Sequence, residues 1–127
     1  MLADTTAYSG FAVGDFAAAR AFYGETLGLR TTVLSEEGGL MQLDLAGGRP
    51  TLIYTKPDHV PAVFTILNFV VDDIEAAVDG LTARGVSFER YEGFDQDERG
   101  IARGPEGPDI AWFTDPSGNT LAVHTPM

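Results

Sequence analysis

A chain of 127 residues, 44% hydrophobic and 21% charged, has the size and composition of a single globular domain rather than of a disordered or fibrous chain. It contains no cysteine, which excludes disulfides, thiolate metal sites and a cysteine nucleophile. A formal charge of −11 opposes nucleic acid and anionic membranes as partners, and no run approaches the roughly 18 apolar residues a membrane helix needs. Met1 to Gly10 lacks a basic region followed by an apolar stretch, so a cytoplasmic protein is expected.

A strand through Phe11 and Val13 leads to Asp15, placed to cap a helix whose stripe is Phe16, Ala19, Tyr23 and Leu27 and whose end is marked by Gly28. Two further strands, Leu40 to Ala46 and Pro50 to Lys56, flank the hairpin signal Gly47-Gly48. Residues 57–63 read as a linker. The pattern then repeats at an offset of 58, with Phe11, Val13, Asp15, Phe16, Ala18 and Ala19 in register with Phe69, Val71, Asp73, Ile74, Ala76 and Ala77. The second helix shows the stripe Ile74, Ala77, Val78 and Leu81 and ends at Gly85. Gly93 to Pro108 reads as a long loop, and Ile110 to Thr114 and Asn119 to Thr125 as strands around the turn Asp115-Pro116-Ser117-Gly118. The chain thus divides into 8–56 and 64–125, two units of one strand, one helix and further strands.

Three segments carry a resemblance to a known family: Val13-Gly14-Asp15-Phe16 through Phe22-Tyr23-Gly24-Glu25-Thr26-Leu27-Gly28-Leu29, Val71-Asp72-Asp73-Ile74-Glu75-Ala76-Ala77, and Trp112-Phe113-Thr114-Asp115-Pro116-Ser117-Gly118-Asn119. In this order and spacing the chain resembles the vicinal oxygen chelate superfamily, the glyoxalase, bleomycin-resistance and extradiol-dioxygenase group. The resemblance implies an α+β fold, two tandem βαβββ units forming a curved, cup-shaped mixed sheet with helices outside and the ligand within. It also implies a homodimer.

The family's metalloenzymes hold a divalent ion with histidine, glutamate or glutamine on the first and last strands of each unit. By the resemblance those positions are Tyr8 and Ile66, seven residues before Asp15 and Asp73, then Ala122, seven after Asp115, and Ile53, from matching Thr51-Leu52 with Thr120-Leu121. None is a ligand of that set, so the expectation is no metal and no cofactor. What remains resembles the antibiotic-binding branch, in which the cup sequesters a small molecule.

If Tyr8, Ile66 and Ala122 point inward, strand alternation adds Gly10, Ala12, Phe64, Asn68, Thr120 and His124, while Phe11, Val13, Leu67, Phe69, Leu121 and Val123 face the helices. Tyr8, Tyr54 and Trp112 are suited to stacking a flat ligand or to filling the core. Asn68 and His124 offer hydrogen bonds, and His124 offers proton transfer as well, although a histidine near the chain end is more often merely solvated. His59, between prolines, is expected to be exposed. Asp95 to Gly100 with Glu106 has aspartates, glycine and glutamate at calcium-loop positions, but Arg99 and Pro105 interrupt it and no helices flank it. It reads as a solvated acidic lid near the cup mouth, with Arg99 or Arg103 placed to meet an anionic group.

The candidate ligand-binding set is therefore Tyr8, Ile53, Tyr54, Ile66, Asn68, Arg103, Trp112, Ala122 and His124, with no catalytic residue assigned. Binding of a small, largely apolar or aromatic molecule is the leading expectation. The alternatives are a lyase, isomerase or dioxygenase drawing on Tyr8, Asn68, His124 and Asp95 to Glu98, and a domain acting through protein contacts.

Overall fold

The two aspartates at offset 58 cap two helices alike. In the computed structural model, which describes residues 1–127, Asp15 accepts from the Ala18 N–H at 3.0 Å and opens α1 (Phe16–Ala21), and Asp73 accepts from the Ala76 N–H at 3.0 Å and opens α2 (Ile74–Ala83). The first helix does not continue regularly to Leu27. Phe22–Thr26 forms a wider, π-helical turn in which the Leu27 N–H reaches the Phe22 carbonyl at 2.9 Å. That turn holds the fully buried Tyr23 ring 5.6 Å from Phe11 and 5.2 Å from Phe22.

The chain falls into two compact units, Met1–Val60 and Pro61–Met127. In the first, β1 (Ser9–Val13), β2 (Arg30–Ser35), β3 (Leu40–Leu45) and β4 (Arg49–Thr55) form a sheet in the order β1-β4-β3-β2, with β1 parallel to β4 and the other pairs antiparallel. Gly47 and Gly48 both have positive φ and turn β3 into β4, as the hairpin signal requires. Phe11, Met41 and Ile53 pair across three strands and are buried with Val13 and Leu43 on the side that receives Tyr23.

In the second unit, β5 (Thr65–Val70), β6 (Ile110–Thr114) and β7 (Thr120–His124) form a sheet in the order β5-β7-β6, with β5 parallel and β6 antiparallel to β7. Leu121, Val123, Ala111 and Phe113 are buried on one face, and α2 contributes buried Ile74 and Val78. Of the three strands that follow the helix in a βαβββ unit, the first does not form here. In its place Phe88 makes one bridge to Phe113 and Ala102 one to Ile110, because the glycine- and proline-rich insertion interrupts the ladder. The result is an α+β fold of two βαβββ-like units, the second with one strand reduced to bridges. No helix is long and apolar enough to cross a membrane.

The Asp115 to Gly118 turn is closed by the Gly118 N–H to the Asp115 carbonyl at 2.9 Å, with Gly118 at φ +86. The buried Asp115 carboxylate accepts from the Ser117 and Asn119 N–H groups at 2.9 Å each and from Asn119 Nδ2 at 3.0 Å. A buried carboxylate is tolerated here because three donors replace its water.

Candidate site on the open face of the second sheet

Register pairs share a face, so Asn68, Ala122 and Trp112 lie side by side across β5, β7 and β6 on the face opposite buried Leu121 and Val123. Asn68 is exposed, Trp112 half-buried and Ala122 fully buried. Two steps along the strands, His124 pairs with Val70 and Ile110 on the same face. His124 is buried, and its Nδ1 lies 2.6 Å from the Thr125 carbonyl. A carbonyl only accepts, so Nδ1 carries a proton, and Nε2 is the nitrogen left to meet a ligand.

The aromatic content of this face comes mostly from residues outside the expected set. Tyr91 and Phe94 place their ring centroids 5.4 and 5.2 Å from that of Trp112, edge to face, and 6.4 Å from each other. The three rings form a cluster whose outer member, Phe94, is 56% exposed. A signal for them exists in Tyr91-Glu92-Gly93-Phe94: glycine at the third turn position between two aromatics, confirmed by Gly93 at φ +92 and the Phe94 N–H on the Tyr91 carbonyl at 3.2 Å.

Several expected placements are corrected. Ile53 is fully buried and pairs with Phe11 and Met41, so it faces the helix side and not the open face. Phe69, the counterpart of Phe11, pairs with Val123, so Ile53 corresponds to Val123 and the counterpart of Ala122 is Leu52, the partner of Gly10. Ile66 sits where the β5 register shifts between Thr65 and Leu67, which breaks the alternation that grouped it with Phe64 and Asn68. Tyr8 precedes β1 and is 67% exposed, and Tyr54 lies on the open face of the first sheet, 40% exposed. His59 is half-buried rather than exposed, with Nε2 shielded from solvent and without a hydrogen-bond partner.

The acidic loop is not an open lid with free arginines. Arg103 faces three carboxylates, Glu75 at 2.5 Å, Asp109 at 3.0 Å and Asp97 at 3.4 Å, while Arg99 binds Asp79 of α2 through two nitrogens at 2.8 and 3.2 Å. These contacts fasten the loop to α2, and Arg103 is neutralised where an anionic ligand was expected. Burial works against the Asp97 charge, but the Ile101 and Arg99 N–H groups, with Arg103 beside them, hold its carboxyl below the usual aspartate value. In the first sheet, hydrogen bonds from Gln42 at 2.6 Å and Thr32 at 2.9 Å similarly lower Asp44.

A depression of about 240 Å³ lies against α1 in the first unit, lined by Phe16, Ala17, Arg20, Ala21, Glu25 and Glu36, with Arg20 already paired to Glu36 at 2.7 Å. No group of three or more histidines, aspartates and glutamates converges closely enough to hold a metal ion. At the four positions where the family's metalloenzymes carry ligands, the corrected register places Tyr8, Leu52, Ile66 and Ala122, which do not fit a divalent ion.

The sequence profile of the Glyoxalase/Bleomycin resistance protein/Dioxygenase superfamily matches residues 5–123. The chain belongs to this superfamily. Solved structures agree on the fold. A glyoxalase/bleomycin resistance protein from Catenulispora acidiphila is 26% identical, with a TM-score of 0.68 and coverage of 96% of this chain and 98% of that one. A superfamily member from Sphaerobacter thermophilus is 21% identical, with a TM-score of 0.70 and coverage of 95% and 98%. TnmS3, an antibiotic binding protein from a Streptomyces species, is 23% identical, with a TM-score of 0.68 and coverage of 98% of both chains. No curated protein matches the chain significantly.

Proposed function

We propose that this superfamily member binds a small, largely apolar or aromatic molecule, of the antibiotic type, on the open face of its second sheet and without a metal ion. The observation that carries this reading is the cluster of Trp112, Tyr91 and Phe94 on the same face as the exposed Asn68, which lies across Ala122 from Trp112. Aromatic rings supply large contact area at low entropic cost, and each ring pair contributes about 0.5–1.5 kcal/mol beyond the area it buries. Asn68 and His124 Nε2 supply the few polar groups that orient a ligand in a mostly apolar site. No charged side chain pairs with this face along β5, β7 or β6, which favours a neutral ligand. TnmS3, similar over nearly the full length of both chains, is itself an antibiotic binding protein, which supports the class of ligand.

The test uses Trp112, the chain's one tryptophan, as reporter. Titration with planar aromatic antibiotics, followed by fluorescence and calorimetry, is expected to find at least one micromolar binder. In calorimetry, Trp112→Leu is expected to weaken that binder at least about tenfold, equivalent to about 1.4 kcal/mol, and Asn68→Ala by less. A broad panel with no micromolar binder overturns the proposal.

A further inference from the structure

Tyr91 and Phe94 reach Trp112 from the first and last residues of one tight turn, so whatever fixes that turn against β6 fixes the aromatic cluster. The connection runs through one half-buried side chain, Gln96. Its Oε1 accepts the Tyr91 N–H at 2.8 Å, and its Nε2 donates to the Glu89 carbonyl at 3.0 Å and the Gly100 carbonyl at 2.7 Å. Glu89 in turn donates its N–H to the Trp112 carbonyl at 2.7 Å. An unbroken series of hydrogen bonds therefore leads from the Trp112 backbone through Glu89 and Gln96 to the Tyr91 backbone.

The frame around Gln96 has little slack. Gly100 is buried at φ +88, and a Cβ there would come within 3.2 Å of Phe88 Cβ. Asp97, the next residue, accepts the Arg99 and Ile101 N–H groups at 2.9 Å each, and Arg99 ties the segment to Asp79 of α2. Only a side-chain amide of this length has an acceptor for Tyr91 together with two donors for Glu89 and Gly100. A carboxylate keeps the acceptor and sets a second oxygen against two carbonyls.

We propose that Gln96 is the positioning residue of the aromatic site: by spanning Glu89, Tyr91 and Gly100 it sets where Tyr91 and Phe94 stand on Trp112, and with them the shape of ring the site accepts. The selectivity clause rests on the proposed function; the positioning of the rings does not, and it is tested without a ligand.

The experiment measures acrylamide quenching of Trp112 in wild type, Gln96→Glu and Gln96→Ala, with far-UV circular dichroism as the control for folding. In Gln96→Glu at neutral pH, quenching is expected to rise several-fold with the circular dichroism retained. Lowering the pH from about 8 to about 5 should then return it toward wild type, because a carboxyl facing two carbonyls takes up a proton early and donates again. Wild type should stay flat over that range, and Gln96→Ala should stay high at every pH. Quenching in Gln96→Glu equal to wild type, or raised with no dependence on pH, overturns the positioning role, and the Glu variant suffices for this if the Ala variant fails to fold. If the signature appears while the antibiotic panel finds no binder, the role of Gln96 stands and the proposed function falls.

Discussion

The two units begin alike and end differently. Both open with a strand, an aspartate cap and a helix, but the first completes four strands paired in ladders, whereas the second replaces one strand by two bridges and an insertion fastened to α2. The first half has the more extended ladder, with both β3 and β4 paired on two sides, whereas in the second half only β7 is. The irregular half has the aromatic cluster. Giving up ladder hydrogen bonds at one sheet edge frees a segment to place side chains that a strand's alternation would have sent to opposite faces.

If both sheets support comparable cores despite this difference, emptying either should cost several kcal/mol. Phe113→Ala in the second unit is expected to destabilise by about 3–5 kcal/mol and Leu43→Ala in the first by about 2–5 kcal/mol in urea unfolding, since both side chains are fully buried. A loss under about 1 kcal/mol at Phe113 would mean that the shortened sheet is not a full core.

The turns sharpen the comparison at smaller cost. Gly39 has φ +63 and an added Cβ would collide with Thr55 Oγ1, which donates to the Gly39 carbonyl; Gly118 has φ +86 and Pro61 Cβ 3.1 Å away. Alanine at either is expected to cost about 1–3 kcal/mol. Gly39→Ala should be the worse of the two in thermal unfolding, because its clash also breaks a hydrogen bond. The reverse order would show that the β3 entry yields more readily than the Asp115 turn.

The smallest effect concerns pH. Asp44 and Asp97 are both held below the usual aspartate value, so the stability they contribute is complete above the unfolded value of about 3.9 and is lost as the pH falls through their lower folded values. Trp112 quenching in the wild type should therefore remain level down to about pH 4 and rise only below it. An onset above about pH 5 would show that Asp97 does not hold the loop in the manner described.

What was legible in the sequence was local. The Asp15 and Asp73 caps, the glycine pair at 47 and 48 and the Asp115 turn depend on neighbours a few residues away, and each formed where its chemistry required. Register between distant strands has no such signal. Matching Thr51-Leu52 to Thr120-Leu121 is one residue out of register and puts Ile53 on the wrong face, and the β5 bulge at Ile66 leaves no mark in the hydrophobic pattern. The pairing of Arg103 with Glu75 of α2 has no local signal, because the two are far apart in the chain. The turn that presents Tyr91 and Phe94 is hard to read because Gly93 both completes it and opens the glycine-rich loop.

The insertion has a second consequence through its backbone. Ala102 exchanges hydrogen bonds with Ile110 at 2.8 and 3.1 Å, and Glu89 bonds the Trp112 carbonyl, so the segment that presents the aromatic pair also occupies the outer rim of β6. Substitutions that loosen it to admit bulkier ligands would bare unpaired strand backbone, an invitation to intermolecular sheet growth. Under the proposed binding role, a broader ligand range and resistance to aggregation are thereby set against each other.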